Sequence, residues 1–234
     1  MRDGLKSVAL PPLLCSDFID YVLRHHQAPT TVVICSSREA FLDELRACFV
    51  DHTAGPSASQ TEGSSRPWHP LLVPTLHLIA KSQSVSLVFA PTLPHLRAFL
   101  STYSFPAKSE FSPSAMTKRG SQTPMLAIWG FARLHQSTVE HSAQGLSRTL
   151  ATVVEATRTG GQRLVLAEPK ERYERKNDED ANGGDERFED PWKEQVPLLS
   201  GSVRFGGEQR AWAGRTIEVG RIVATWCKFL RLDD

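Results

Sequence analysis

The sequence predicts an α/β fold, a mainly parallel sheet covered by helices and finished by a C-terminal antiparallel β-meander. Three observations carry this prediction. Four short runs are apolar from end to end: residues 30–35 (TTVVIC), 85–90 (VSLVFA), 125–129 (MLAIW) and 163–167 (RLVLA). Segments with helical apolar spacing lie between them, and strands buried on both faces with helices between them are the pattern of a parallel sheet. Beyond residue 195 the pattern changes to strand-like stretches punctuated by Gly206-Gly207 and Gly214, which read as turns.

The elements follow in order. Residues 13–26 carry Leu14, Phe18, Ile19, Val22 and Leu23 at helical spacing, and Ala28-Pro29 stops that helix. The run 30–35 is a β-branched strand. Residues 38–49 form a helix through Ala40, Phe41, Leu45, Cys48 and Phe49, with Ser36 or Ser37 as its N-cap. Residues 71–81 are helical in their later part, because Pro74 interrupts the start. The strand 85–90 is closed by Pro91, and Leu96, Phe99, Leu100 and Tyr103 set a helical register over 93–103. The strand 125–129 precedes a loop containing Gln136 and Ser137. The clearest helix is 142–157, with Leu146, Leu150, Val153, Val154 and Thr157 on one face and Gly160-Gly161 at its end. The strand 163–167 follows. Residues 196–203 and 216–230 are expected as antiparallel strands.

Length and composition bound the rest. The chain has 234 residues, a formal net charge of +1 and 40% hydrophobic residues, so one domain over 1–234 suffices and neither disorder nor wholesale nucleic-acid coating is indicated. Three stretches read as flexible loops: 53–68, 104–123 and 168–194. The last holds 11 acidic and 6 basic residues, a formal charge of −5, which marks a solvated insertion. Cys15, Cys35, Cys48 and Cys227 form no C-x-x-C pair and no metal-ligand spacing, so they are read as buried reduced thiols. The N-terminus lacks a signal-peptide pattern and no apolar run approaches the length of a membrane span. A soluble intracellular protein is expected.

The chemistry-bearing motifs are mostly missing. Between the strand 30–35 and its helix, a phosphate loop would read G-x-x-x-x-G-K-[ST]. The chain has Ser36-Ser37-Arg38-Glu39, without the glycines that turn backbone N–H groups inward or the lysine that meets the β/γ-phosphates. The strand 125–129 ends in Trp129-Gly130 where an aspartate would handle magnesium. No cofactor is expected. His25-His26 diverge on a helix and read as a solvated last turn. His135, Glu140 and His141 are the material for an acid/base site of a hydrolase or transferase, with no nucleophile evident beside them. Trp129, Trp212 and Trp226 read as strand residues in the core, whereas Trp68 and Trp192, in loops, are candidate partner-interface residues. Arg204, Arg210, Arg215, Arg221 and Lys228 are candidate nucleic-acid contacts, although Arg221 and Lys228 fall on opposite faces of a regular strand.

Taken together, these stretches resemble a degenerate RecA-like domain of the kind found in recombinase paralogues. The resemblance covers residues 29–232. It rests on TTVVIC at the Walker A strand, MLAIW at the Walker B strand, SAQGLSRTLATVVEA leading to RLVLAEP, and VPLLSG followed by AWAGRTIEVGRIV near the end. It implies a non-catalytic subunit of a multi-protein complex, paired with paralogous RecA-like subunits in a hetero-oligomer that supports homologous recombination and DNA repair. DNA would be reached through the complex, in the nucleus. ATPase activity is not implied, since both nucleotide motifs are lost, and an acidic loop after residue 167 disfavours direct phosphate contact. The same frame is similar to the inactive RecA-like subunits of Elongator, which act in transfer-RNA modification and would place the chain in the cytoplasm.

Overall fold

The computed structural model describes residues 7–26, 28–53, 69–103, 124–172, 188–199 and 215–230. Its centre is a six-stranded parallel sheet. In chain order the elements are β1 (Val8–Ala9), α1 (Cys15–His25), β2 (Thr30–Ile34), α2 (Arg38–Thr53), α3 (Leu76–Ser82), β3 (Val85–Phe89), α4 (Leu93–Thr102), β4 (Met125–Trp129), α5 (Phe131–Gln136), α6 (Ala143–Thr159), β5 (Arg163–Ala167), β6 (Glu171–Arg172), β7 (Phe188–Glu189), β8 (Gln195–Pro197), β9 (Thr216–Glu218), α7 (Val219–Ala224) and β10 (Lys228–Phe229). The strand order is β10-β1-β5-β4-β2-β3, and β6–β7 and β8–β9 form two small antiparallel pairs. The α/β class, the mainly parallel sheet and a small antiparallel sheet near the C-terminus are as the sequence predicts.

The layers follow from strand alternation. Val33, Leu126, Ile128, Leu164 and Leu166 face one way and meet Leu96 of α4, Leu150 of α6 and Val223 of α7. Val32, Ile34, Ala127, Trp129 and Val165 face the other way and meet Phe18 of α1 and Phe41 of α2. All five residues of β4 are buried, which explains why its sequence shows no polar alternation. Trp129, expected in the core, stacks on Phe18 at 4.8 Å between ring centroids. Helix starts are also as read: Ser37 Oγ accepts from Ala40 N–H at 3.1 Å, and Ser142 Oγ accepts from Gly145 N–H at 3.1 Å. All four cysteines are buried and unpaired.

Several expectations need correction. Residues 216–230 are not one strand: β9 ends at Glu218, α7 follows, and β10 joins the main sheet parallel to β1. Val219, Ile222 and Val223 are buried at helical spacing, and tertiary packing outweighs their β-branched propensity. Gly220 makes this packing possible, since a Cβ there would lie 2.8 Å from the Trp192 carbonyl oxygen. Trp226 follows α7 in a turn and is 41% exposed, not a core residue. The expected loop after β4 contains α5, and β1 was too short to carry a periodic signal. Of the expected 168–194 loop, Glu168, the β6–β7 pair and the Pro191–Lys193 turn are ordered parts of the fold. Residues 54–68, 104–123, 173–187, 200–214, Trp68, Trp212, Arg204 and Arg210 lie outside the described residues.

Candidate functional site

In open parallel sheets, ligands bind at the carboxyl ends of the strands, where neighbouring strands send their connections to opposite sides. Here β2 leads outward to β3 while its neighbour β4 leads back to β5, so the β2/β4 crevice is the switch point. The parallel ladder runs one residue past the strands here: Cys35 N–H donates to the Trp129 oxygen at 2.9 Å and Gly130 N–H to the Ala167 oxygen at 2.9 Å. Gly130 stands at the N-cap of α5 with φ 76°, a left-handed conformation that suits glycine and supplies no capping side chain.

The missing cap is provided from the next strand. Glu168, one residue past β5, is fully buried. Its Oε1 accepts from Ala132 N–H at 2.6 Å and its Oε2 from Arg133 N–H at 3.3 Å. A carboxylate at the positive end of a helix, bonded to two first-turn N–H groups, is a charge-assisted cap. It also occupies two donors that a phosphate would seek. The sequence reading missed Glu168 because it opens an acidic stretch and was counted with the solvated charges. Its adjacency to an apolar strand was the available signal.

The surrounding side chains are equally committed. Ser37 caps α2, Ser36 Oγ donates to the Ser37 oxygen at 3.3 Å, and Arg133 Nη1 lies 3.3 Å from Glu44 Oε2. Burial, and then the nearby Glu168 charge, push the Cys35 thiol well above its usual range, so it stays a protonated thiol. Burial likewise raises Cys15, with Glu44 and Cys48 adding to the effect, and pushes Cys227 up to about 12.

The structure does bring His135, Glu140 and His141 into one region, as parts of a brace. His135 is fully buried on α5. Its Nδ1 lies 2.9 Å from the Phe131 oxygen and its Nε2 3.1 Å from Thr149 Oγ1, which fits a neutral ring donating through Nδ1. Burial lowers its pKa, opposed by the Phe131 carbonyl bond. Arg97 of α4 donates to Thr149 Oγ1 at 2.9 Å and through both terminal nitrogens to Glu140, one of them at 2.7 Å to Oε1. That bidentate pairing holds the Glu140 carboxyl below its usual range. His141 Nε2 lies 3.2 Å from Glu194 Oε1 without hydrogen-bond alignment. The ring nitrogens and the carboxylate thus tie α4, α5 and α6 together.

The candidate interface residues separate. Trp192, expected to be open to a partner, is 5% exposed, with its Nε1–H donating to the Leu10 oxygen at 2.9 Å and its ring edge-on to Phe229. It is a core side chain, because the Pro191–Lys193 turn packs beneath α7. Arg215, Arg221 and Lys228 are exposed but stand on three different segments: the residue before β9, α7 and β10. Arg221 also lies 3.9 Å from Glu218. Exposed apolar side chains stand instead at Leu72 and Val73 before α3, Leu76 and Ile79 on α3, and Leu87 on β3. Among the described residues, no three His, Cys, Asp or Glu side chains are placed to hold a metal ion, and no helix is long and apolar enough to cross a membrane.

The sequence model of the SPAC22G7.03-like family matches residues 7–176, so the chain belongs to that family. No curated protein and no solved structure matches it.

Proposed function

We propose that this member of the SPAC22G7.03-like family is a non-catalytic RecA-like subunit of a multi-protein complex that supports homologous recombination and DNA repair in the nucleus. One observation carries the non-catalytic part. At the switch point of the sheet, the donors of α5 are taken by the buried carboxylate of Glu168 instead of being left for a phosphate. The loss of both nucleotide motifs after β2 and β4 supports the same reading. A frame that keeps its layers while a side chain of its own takes donors at its ligand end acts through its surfaces. Its partners are paralogous RecA-like subunits, and DNA is met through the assembly, with Arg215, Arg221 and Lys228 as accessory contacts only.

Affinity purification of the tagged full chain with mass spectrometry tests this reading. Recombination factors are the expected partners. Recovery of Elongator subunits would move the chain to transfer-RNA modification, and recovery of no stable partner would overturn the subunit reading.

A further inference from the structure

Among the described residues, the outermost strand β3 is an edge with none of the usual protections. Native edges carry lysine, proline, a bulge or a covering element. The strand Val85–Phe89 (VSLVF) has no charge and no proline, and its pairing with β2 runs without a bulge from Thr30↔Val85 to Ile34↔Phe89. Thr30 N–H donates to the Ser84 oxygen and Ala90 N–H to the Ile34 oxygen. By alternation, Ser86 and Val88 turn their main-chain groups toward β2, and Val85, Leu87 and Phe89 turn theirs outward. Among the described residues nothing pairs with those outward groups.

Among the described residues, Leu87 at this rim is also uncovered. Val85 and Phe89 pack on the α1/α2 layer, so Leu87 lies on the same face, where it is 50% exposed. The helix α3 belongs to that face, tied to α1 by Lys81 Nζ donating to the Leu23 oxygen at 2.8 Å. Its Leu76 is 87% exposed, with Ile79, Leu72 and Val73 nearby in the chain. Leu76 and Leu87 are the most exposed of these five side chains.

We propose that a second copy of the chain covers this edge, β3 pairing antiparallel with its counterpart and Leu87 on the two-fold axis. The outward groups at 85, 87 and 89 are symmetric about Leu87. That register sets Leu87 opposite itself and Val85 opposite Phe89, and it satisfies all of them at once. It brings no like charges together, because the strand has none. Leu87 stands on the pairing axis, so this register buries its half-exposed side chain against its own counterpart. The proposal concerns the purified chain by itself and stands or falls independently of the partners proposed above.

Light scattering and sedimentation on the purified full chain test it, with three variants. The wild type is expected as a dimer that dissociates on dilution. Leu87→Lys sets two cations opposite each other and is expected to weaken the dimer at least about tenfold while thermal unfolding shows it folded. Leu87→Cys is expected to give a disulfide-linked dimer on mild oxidation, since Cα atoms of such a pair lie about 5.5 Å apart, within disulfide range. Val139→Cys, at a 90% exposed site on another surface, should stay unlinked. A wild type that is monomeric at every concentration overturns the proposal. So does a dimer indifferent to Leu87→Lys whose Leu87→Cys form does not cross-link. If Leu87→Lys does not fold, the cross-link alone decides.

Discussion

The carboxyl end of the sheet and its β3 edge handle polar groups in opposite ways. At the carboxyl end, donors beside the β2/β4 crevice are met from within the fold: Glu168 accepts from Ala132 and Arg133 at the start of α5, and Ser37 accepts from Ala40 at the start of α2. At the β3 edge, three residues hold their main-chain groups outward beside exposed Leu87 and Leu76. The first region follows the rule that buried polar groups are satisfied within the fold, and the second leaves groups to water or to another chain. The sheet thus has a closed end, where side chains of the chain itself cap α5 and α2, and an open edge along β3.

Substitutions at the closed end should cost folding stability, and substitutions at the open edge should cost assembly. The largest effect is expected for Glu168→Ala, which strands two N–H groups at the buried start of α5. Chemical denaturation should register a loss of about 3 kcal/mol, with Glu168→Gln losing less because it keeps one acceptor. Next is Thr149→Val, which removes the hydroxyl joining His135 to Arg97 at nearly constant volume and should cost about 1–2 kcal/mol.

A smaller effect is set by pH. His135 is neutral in the fold because burial lowers its pKa, whereas in the unfolded chain it titrates near about 6.5. Its contribution is complete above the unfolded value and is lost as pH falls below that value toward the folded one. Stability should therefore decline as pH drops from about 7 to 5, and His135→Gln should flatten that slope in thermal unfolding across the range. His26, lowered by burial and by Lys81, contributes in the same direction. The least effect on the isolated fold is expected at the open edge, where Leu87→Lys should shift stability by no more than about 0.5 kcal/mol.

How much of this contrast was legible in the sequence depends on the range of the signal. β2, β4 and β5 were readable because a strand buried on both faces is apolar throughout, and α6 because its stripe runs for several turns between Ser142 and Gly160. α7 was not, since Val219–Ala224 is barely longer than one turn and its β-branched residues suit a strand equally well. Glu168 and Trp192 were misjudged for one shared reason. Each sits in a polar stretch, and each is buried by a partner distant in sequence, Ala132 for one and Leu10 for the other. The open edge was invisible because a one-dimensional pattern does not say which strand lies outermost.

Equilibrium binding of Mg-ATP to the purified chain, followed by calorimetry, bears most directly on the closed end. With Glu168 holding the donors of α5 and no lysine in the turn after β2, no saturable binding is expected at millimolar nucleotide. Saturable binding that is lost on changing Ser36 or Ser37 would contradict the account.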